Sequence, residues 1–114
     1  MNIYNLDEIY KLEKSNEIIM KFLNEYIEKY LKVGITTKEI DEIGESFIRQ
    51  HGATPSFKGY YGFPSSLCIS VNEEVVHGIP KKSKKLKEGD VVGIDVGTCL
   101  DGYYGDGART FIIG

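Results

Sequence analysis

A three-to-four-residue rhythm of apolar side chains runs through the first fifty residues, stops at Gly52 and does not return. A helix buries one stripe of side chains and a strand buries alternate ones, so this change of period divides the chain into a helical part and a β part. Residues 5 to about 31 read as one helix. Asn5 followed by Glu8 has the spacing of a capping box, and Ile9, Leu12, Ile19, Leu23, Tyr26 and Tyr30 form its inner stripe. Asn16 interrupts that stripe, Ile18, Phe22 and Ile27 widen it, and Gly34 is the expected stop. A second helix opens at Thr36 with Glu39 three residues on, turns Ile40, Ile43, Phe47 and Ile48 inward, and stops at Gly52.

Residues 53–66 are rich in Gly, Pro, Ser and aromatic side chains and read as a long ordered loop. Residues 67–72 and 91–97 are β-prone runs bounded by turn formers. Asp101-Gly102 is a hairpin signal, and residues 109–113 form a last strand. Helices followed by antiparallel strands make the expected fold class α+β, in one unit spanning residues 1–114.

Composition excludes several classes. A chain of 114 residues with 41% hydrophobic and 27% charged side chains is ordinary for one globular domain. The longest uncharged stretch, residues 59–72, is short of the ~18 that a membrane span needs, and with Asp7 and Glu8 before any apolar run no secretory signal is expected. Two cysteines, Cys68 and Cys99, suit a reducing compartment, so a cytoplasmic location is expected. The lysines of residues 81–87 read as a solvated edge or loop, and with a net charge of −3 no specific nucleic-acid partner is expected.

The strand 91–97 carries the chemistry. Val92, Ile94 and Val96 share one face, and Gly93, Asp95 and Gly97 the other, which leaves room for a group to approach the sheet beside a carboxylate. Two hairpin registers are open. A turn centred between Leu100 and Asp101 sets Asp95 opposite Asp106, and a two-residue Asp101-Gly102 loop makes them diagonal neighbours. Both put the carboxylates on one face, with Cβ atoms ~4.5–8 Å apart. Such a pair invites a divalent cation between them. The competing account is turn chemistry, since Asp106 lies between Gly105 and Gly107 and Asp90 and Asp101 look like turn residues; spacing alone favours it.

Other candidates are individually weaker. His77, before Gly78-Ile79-Pro80, is placed to hydrogen-bond or protonate a substrate, or simply to satisfy local backbone. Phe57, Tyr60, Tyr61 and Phe63 are either a small core over the sheet or an apolar pocket wall. Cys68 reads as a small buried hydrophobe, and His51 as a helix-terminal cation without a functional role.

Together these pieces resemble the type I methionine aminopeptidases, of the pita-bread metallopeptidase fold. The matching stretches are 54–64 (TPSFKGYYGFP), 68–80 (CISVNEEVVHGIP), 86–96 (LKEGDVVGIDV) and 101–106 (DGYYGD). The family removes the initiator methionine from nascent proteins, with two divalent ions (cobalt, manganese, iron or zinc) activating a water. The resemblance implies that Asp95 is a bidentate ligand to one ion and that Asp106 bridges both. It implies further that His77 contacts the scissile peptide group, and that Tyr60, Phe63, Cys68 and Phe57 take the methionine side chain. Phe63 replaces a tyrosine, and Tyr61 a histidine, found in some members.

The family's centre also uses one His and two Glu from a C-terminal half, and this sequence ends before them. The chain is therefore expected to be the N-terminal half of the catalytic domain, inactive and weakly metal-binding by itself. The expected partners are nascent polypeptide N-termini, met at the ribosome, and a second copy through the uncovered face of the half-domain. The alternatives are a non-catalytic half-domain that binds a peptide N-terminus or a partner protein, and, less favoured, an X-Pro dipeptidase.

Overall fold

The computed structural model describes residues 5–59, 62, 65–72 and 79–114. Two helical segments precede a four-stranded antiparallel sheet, the expected α+β order. Helix α1 (Leu6–Lys21) begins with the capping box: Asn5 Oδ1 accepts from Glu8 N–H at 2.8 Å, and Glu8 Oε1 accepts from Asn5 N–H at 3.1 Å. Helix α2 (Thr37–Gln50) repeats the device with Thr36 and Glu39. Gly52, at φ +83°, takes the left-handed step that ends α2.

Between the helices the chain departs from the single helix expected. Phe22–Tyr26 is a π-helical turn and Ile27–Tyr30 a 3₁₀ turn. In a straight α-helix Phe22 and Ile27 would lie about 140° apart around the axis. The π turn, in which Ile27 N–H donates to Phe22 O, brings both onto the core side, each 0% exposed. The stripe is thus re-phased, and its expected ends, Ile9 and Tyr30, are exposed. Gly34 does not stop the helix, which ends at Tyr30 with Leu31 as its cap. Its N–H instead donates to Leu86 O, and Leu86 N–H donates to Ile35 O, pinning the lysine-rich segment while Lys81, Lys82, Lys84, Lys85 and Lys87 stay exposed.

Strand β3 (Val91–Leu100) is central. Strand β2 (Leu67–Val71) pairs with its residues 92–96 and the two-residue β1 (Thr54–Pro55) with Thr98 and Cys99, both along one side. Strand β4 (Tyr103–Ile112) takes the other side over its full length. The segment expected to be loop therefore begins as an edge strand, where Pro55, which lacks an N–H, is tolerated. β3 runs three residues past its expected end, and β4 starts six residues before its own.

Val92, Ile94, Val96, Leu67, Ile69, Val71 and Phe111 face the helices and form the core with Ile19, Phe22, Leu23, Ile40 and Ile48. Helix α1 can lie this close because β4 presents glycines to it. A Cβ on Gly107 would stand 2.8 Å from Ile19 Cγ2, and one on Gly105 would stand 3.1 Å from backbone atoms of Ser15 and Asn16. Beside that contact, Ser15 Oγ and Thr98 Oγ1 share a buried 2.7 Å hydrogen bond, and Thr98 Oγ1 donates to Ser15 O. Among the described residues no helix is long and apolar enough to cross a membrane.

Candidate metal centre and substrate pocket

The hairpin turn decides how the two carboxylates meet. Asp101 (φ +50°) and Gly102 (φ +86°) both adopt positive φ, as the two-residue I′ loop requires, and Leu100 pairs with Tyr103. Asp95 consequently pairs with Ala108 and Asp106 with Gly97. Asp95 and Asp106 are diagonal neighbours on the face away from the helices, their positions on the two strands about 7–8 Å apart by sheet geometry, and both are exposed.

Asp106 is not a turn former. It lies within β4, and its flanking glycines serve the opposite face, where α1 approaches. Asp90 and Asp101 are the turn residues: Asp90 Oδ2 accepts from Lys87 N–H at 2.8 Å, and Asp101 opens the hairpin loop.

The two glycines beside Asp95 play different parts. At Gly93 a Cβ would meet nothing nearer than Ser70 at 4.0 Å, so space remains next to the carboxylate. At Gly97 the approaching group is the chain itself, since a Cβ there would stand 2.6 Å from Phe57 Cε1 and would also collide with Ser56 Oγ. Phe57 therefore lies over the sheet at Gly97, between the positions of Asp95 and Cys99 along β3. Cys68 pairs directly across from Asp95 and is 5% exposed. One face thus brings Asp95, Asp106, Phe57 and Cys68 together. His77, Tyr60, Tyr61 and Phe63 lie outside the described residues.

Hard carboxylate oxygens beside open space suit a divalent ion, so the residues present fit the metal that the resemblance implies. Among the described residues no group of three or more His, Cys, Asp or Glu is assembled. His51 is turned back on its own helix, with Nδ1 2.8 Å from Phe47 O and its ring packed on the Phe47 ring at 4.1 Å. A separate groove of ≈ 330 Å³ lined by Tyr26, Tyr30, Glu39 and Glu42 shares no residue with this face. Lys29 Nζ already stands over both of its aromatic rings, at 4.5 and 5.4 Å.

Residues 10–114 match the metallopeptidase family M24. The chain belongs to that family. It is 56% identical over 110 residues to the methionine aminopeptidase of Clostridium perfringens, a match covering 96% of this chain and 43% of that protein. The crystal structure of methionine aminopeptidase from Rickettsia prowazekii superposes with a TM-score of 0.92 at 37% identity, over 100% of this chain and 45% of that one. The prolidase of Pyrococcus furiosus shares the fold with a TM-score of 0.81 at 26% identity, over 98% of this chain and 31% of that one. The chain spans less than half the length of these M24 relatives. Its fold is that of one part of their pita-bread domain.

Two carboxylates that shape this region escape a reading of the sequence alone. Asp41, 2% exposed, accepts from Leu67 N–H at 2.7 Å, and burial pushes its carboxyl above the usual range. Glu45, one turn on, takes Lys58 Nζ (2.8 Å) and Ser66 Oγ (2.6 Å) on one oxygen and Arg49 Nε (3.1 Å) on the other. The signal available was an i, i+4 pair of acids bordering the apolar face of an amphipathic helix. The Lys58 and Ser66 bonds hold the Glu45 carboxyl at about 2.

A carboxyl held below its ordinary value stabilises the fold above the unfolded value, near 4.3, and that stability is lost as pH falls towards 2. The stability gap between wild type and Glu45→Gln is expected to be about 1–2 kcal/mol at pH 7, because solvent screens a side chain that is 26% exposed. Urea melts across this range should show the gap closing between pH 4 and 2. A gap independent of pH would contradict the assignment.

Proposed function

We propose that this chain supplies the two-aspartate part of a methionine aminopeptidase centre and two walls of its methionine pocket, at Phe57 and at Cys68. The observation that carries the reading is the common face of Asp95, Asp106, Phe57 and Cys68, in a chain 56% identical to a methionine aminopeptidase. Asp95 and Asp106 would hold the divalent ions, which supply a nucleophilic water at neutral pH and Lewis acidity towards the peptide carbonyl. The chain's own groups do the rest. Phe57 and Cys68, with Tyr60 and Phe63, take a thioether side chain by apolar and sulfur contact. His77 donates a hydrogen bond to the scissile peptide group. The substrate is the N-terminal methionine of a nascent protein, met in the cytoplasm.

These 114 residues by themselves are proposed to bind metal weakly and to hydrolyse nothing at a useful rate, since stable transition-metal sites usually take three or four protein ligands. Calorimetric titration with Mn²⁺ should give a dissociation constant no tighter than about 10⁻⁴ M, the range of sparsely liganded carboxylate sites. Asp95→Asn or Asp106→Asn should weaken it a further ~10-fold, as lost charge-assisted contacts do. Tight two-ion binding, or release of methionine from Met-Ala-Ser by the unmodified chain, would overturn the half-site reading.

A second reading, a non-catalytic module with a protein partner, has its own support. β4 pairs only with β3 among the described residues, which leaves ten residues of open strand edge. Ile112, 75% exposed, and Tyr104, 66% exposed, stand on the face with the carboxylates. Such an edge favours pairing with a second copy. Light scattering should therefore show dimers or larger species as concentration rises, and a clean monomer at high concentration would remove this support.

A further inference from the structure

We infer that Glu45 is the positioning residue of the methionine pocket, tying its two walls together through Lys58 and Ser66. The inference rests on the pocket reading above and deepens it. Phe57 and Cys68 belong to chain segments separated by residues 59–65, which include the other pocket candidates, Tyr60 and Phe63. Lys58 is the residue after Phe57, and Ser66 lies two before Cys68. Both end on the same oxygen, Glu45 Oε1, at 2.8 and 2.6 Å. One carboxylate therefore joins the residue after Phe57 to the segment before Cys68, and it is a charge-assisted tie, stronger than a neutral one.

The carboxylate is itself held from both sides. Arg49 Nε fixes Oε2 at 3.1 Å from one turn further along α2, so the acceptor has little freedom to follow the loop. One turn earlier, Asp41 holds Leu67 N–H, and Gly44 lets α2 approach so closely that a Cβ there would stand 2.6 Å from Leu67 Cδ1. The segment entering β2 is thus seated by α2 at Ser66 and Leu67, immediately before the residue that faces Asp95. On the other wall, Ser56 N–H donates to Gly97 O at 3.0 Å, and Lys58 adds a side-chain tie to α2. Phe57 has to stay over Gly97 for the two walls to keep their spacing; the Ser56 bond holds it from the sheet side, and the Lys58 to Glu45 pair holds it from α2.

The test uses the 114-residue chain and L-methioninamide as probe, followed by NMR. Glu45→Ala should speed amide exchange at residues 57–59 and 65–68 about tenfold or more, the effect of a lost charged hydrogen bond. Exchange in α1 and β4 should speed only by the one common factor that the global loss of stability sets, and the ratio of rates at residues 57–59 and 65–68 to those elements should rise. The Gly97 α-proton signals should lose the shift that the Phe57 ring imposes, and methioninamide affinity should fall by a similar ~10-fold factor. Glu45→Gln, which keeps an acceptor for Ser66 but no charge for Lys58, should lie between. Lys58→Met removes only the tie next to Phe57, so it should move the Gly97 signals without speeding exchange at 65–68; this variant decides the matter if Glu45→Ala does not fold.

Unchanged exchange and unchanged Gly97 signals would overturn the tie, whatever the probe does. A loosened loop with equal methioninamide binding by wild type and variant would overturn the positioning role. A loosened loop in a chain that binds methioninamide in neither form would overturn the pocket reading, and the positioning role with it.

Discussion

Gly105→Val should cost this chain a large share of its stability. A Cβ at Gly105 would stand 3.1 Å from both Asn16 N and Ser15 C and 2.9 Å from Asn16 Oδ1, so two of its three nearest atoms are helix backbone that no rotamer change can move. Helix α1 would have to lift. Overpacking of this kind costs about 1–3 kcal/mol, and valine adds two methyl groups to it. Lifting also stretches the buried bond between Ser15 Oγ and Thr98 Oγ1, and unmaking it strands hydroxyls away from water at about 1–3 kcal/mol. A loss of roughly 3–5 kcal/mol is large against the ~5–15 kcal/mol that holds a small domain together. Urea denaturation followed by far-UV circular dichroism should show the midpoint collapsing. An unchanged midpoint would mean that α1 does not sit on β4 as described.

Phe22→Ala is the second large effect, and it acts between the helices. Phe22 is 0% exposed, its ring centroid lies 5.4 Å from that of Phe47 in α2 and 6.3 Å from that of Tyr26, and its carbonyl closes the π turn. Truncating a buried phenylalanine typically costs about 3–5 kcal/mol, transfer and cavity together. The same urea experiment should report that loss. A value under about 1.5 kcal/mol, the size of a tolerated hydrophobic swap, would show that the space refills and that the π turn is not held by this ring.

The legible parts of this fold were the local ones. Each capping box needs only residues three apart, so Asn5 with Glu8 and Thr36 with Glu39 announce their helices without help from the rest of the chain. Asp101-Gly102 announces its hairpin in the same way, and strand alternation then obliges Asp95 and Asp106 to share a face. The illegible parts depend on partners far along the chain. Thr54–Pro55 becomes a strand only because residues 98–99 of β3 lie beside it. The glycines around Asp106 read as a turn because the helix that needs them is some ninety residues earlier in sequence. The π turn has no composition signal; it follows from fitting Phe22 and Ile27 to one core. Nothing local marks the roles of Asp41 and Glu45, because their hydrogen-bond partners lie at Leu67, Lys58 and Ser66.

The two-faced spelling of β4 makes the hairpin an inflexible ruler. Gly105 and Gly107 face α1 while Asp106 faces away, and the side-chain period of a strand is two. One extra residue between Leu100 and Tyr103 that slid β4 by a single step would push Asp106 under Ile19 and turn both glycines outward. The helix would lose its seat and the face would lose its second carboxylate in the same stroke. Length changes near the exposed lysines of residues 81–87 meet no such double demand. Insertions and deletions among natural versions of this chain should therefore collect there and spare the Asp101-Gly102 turn.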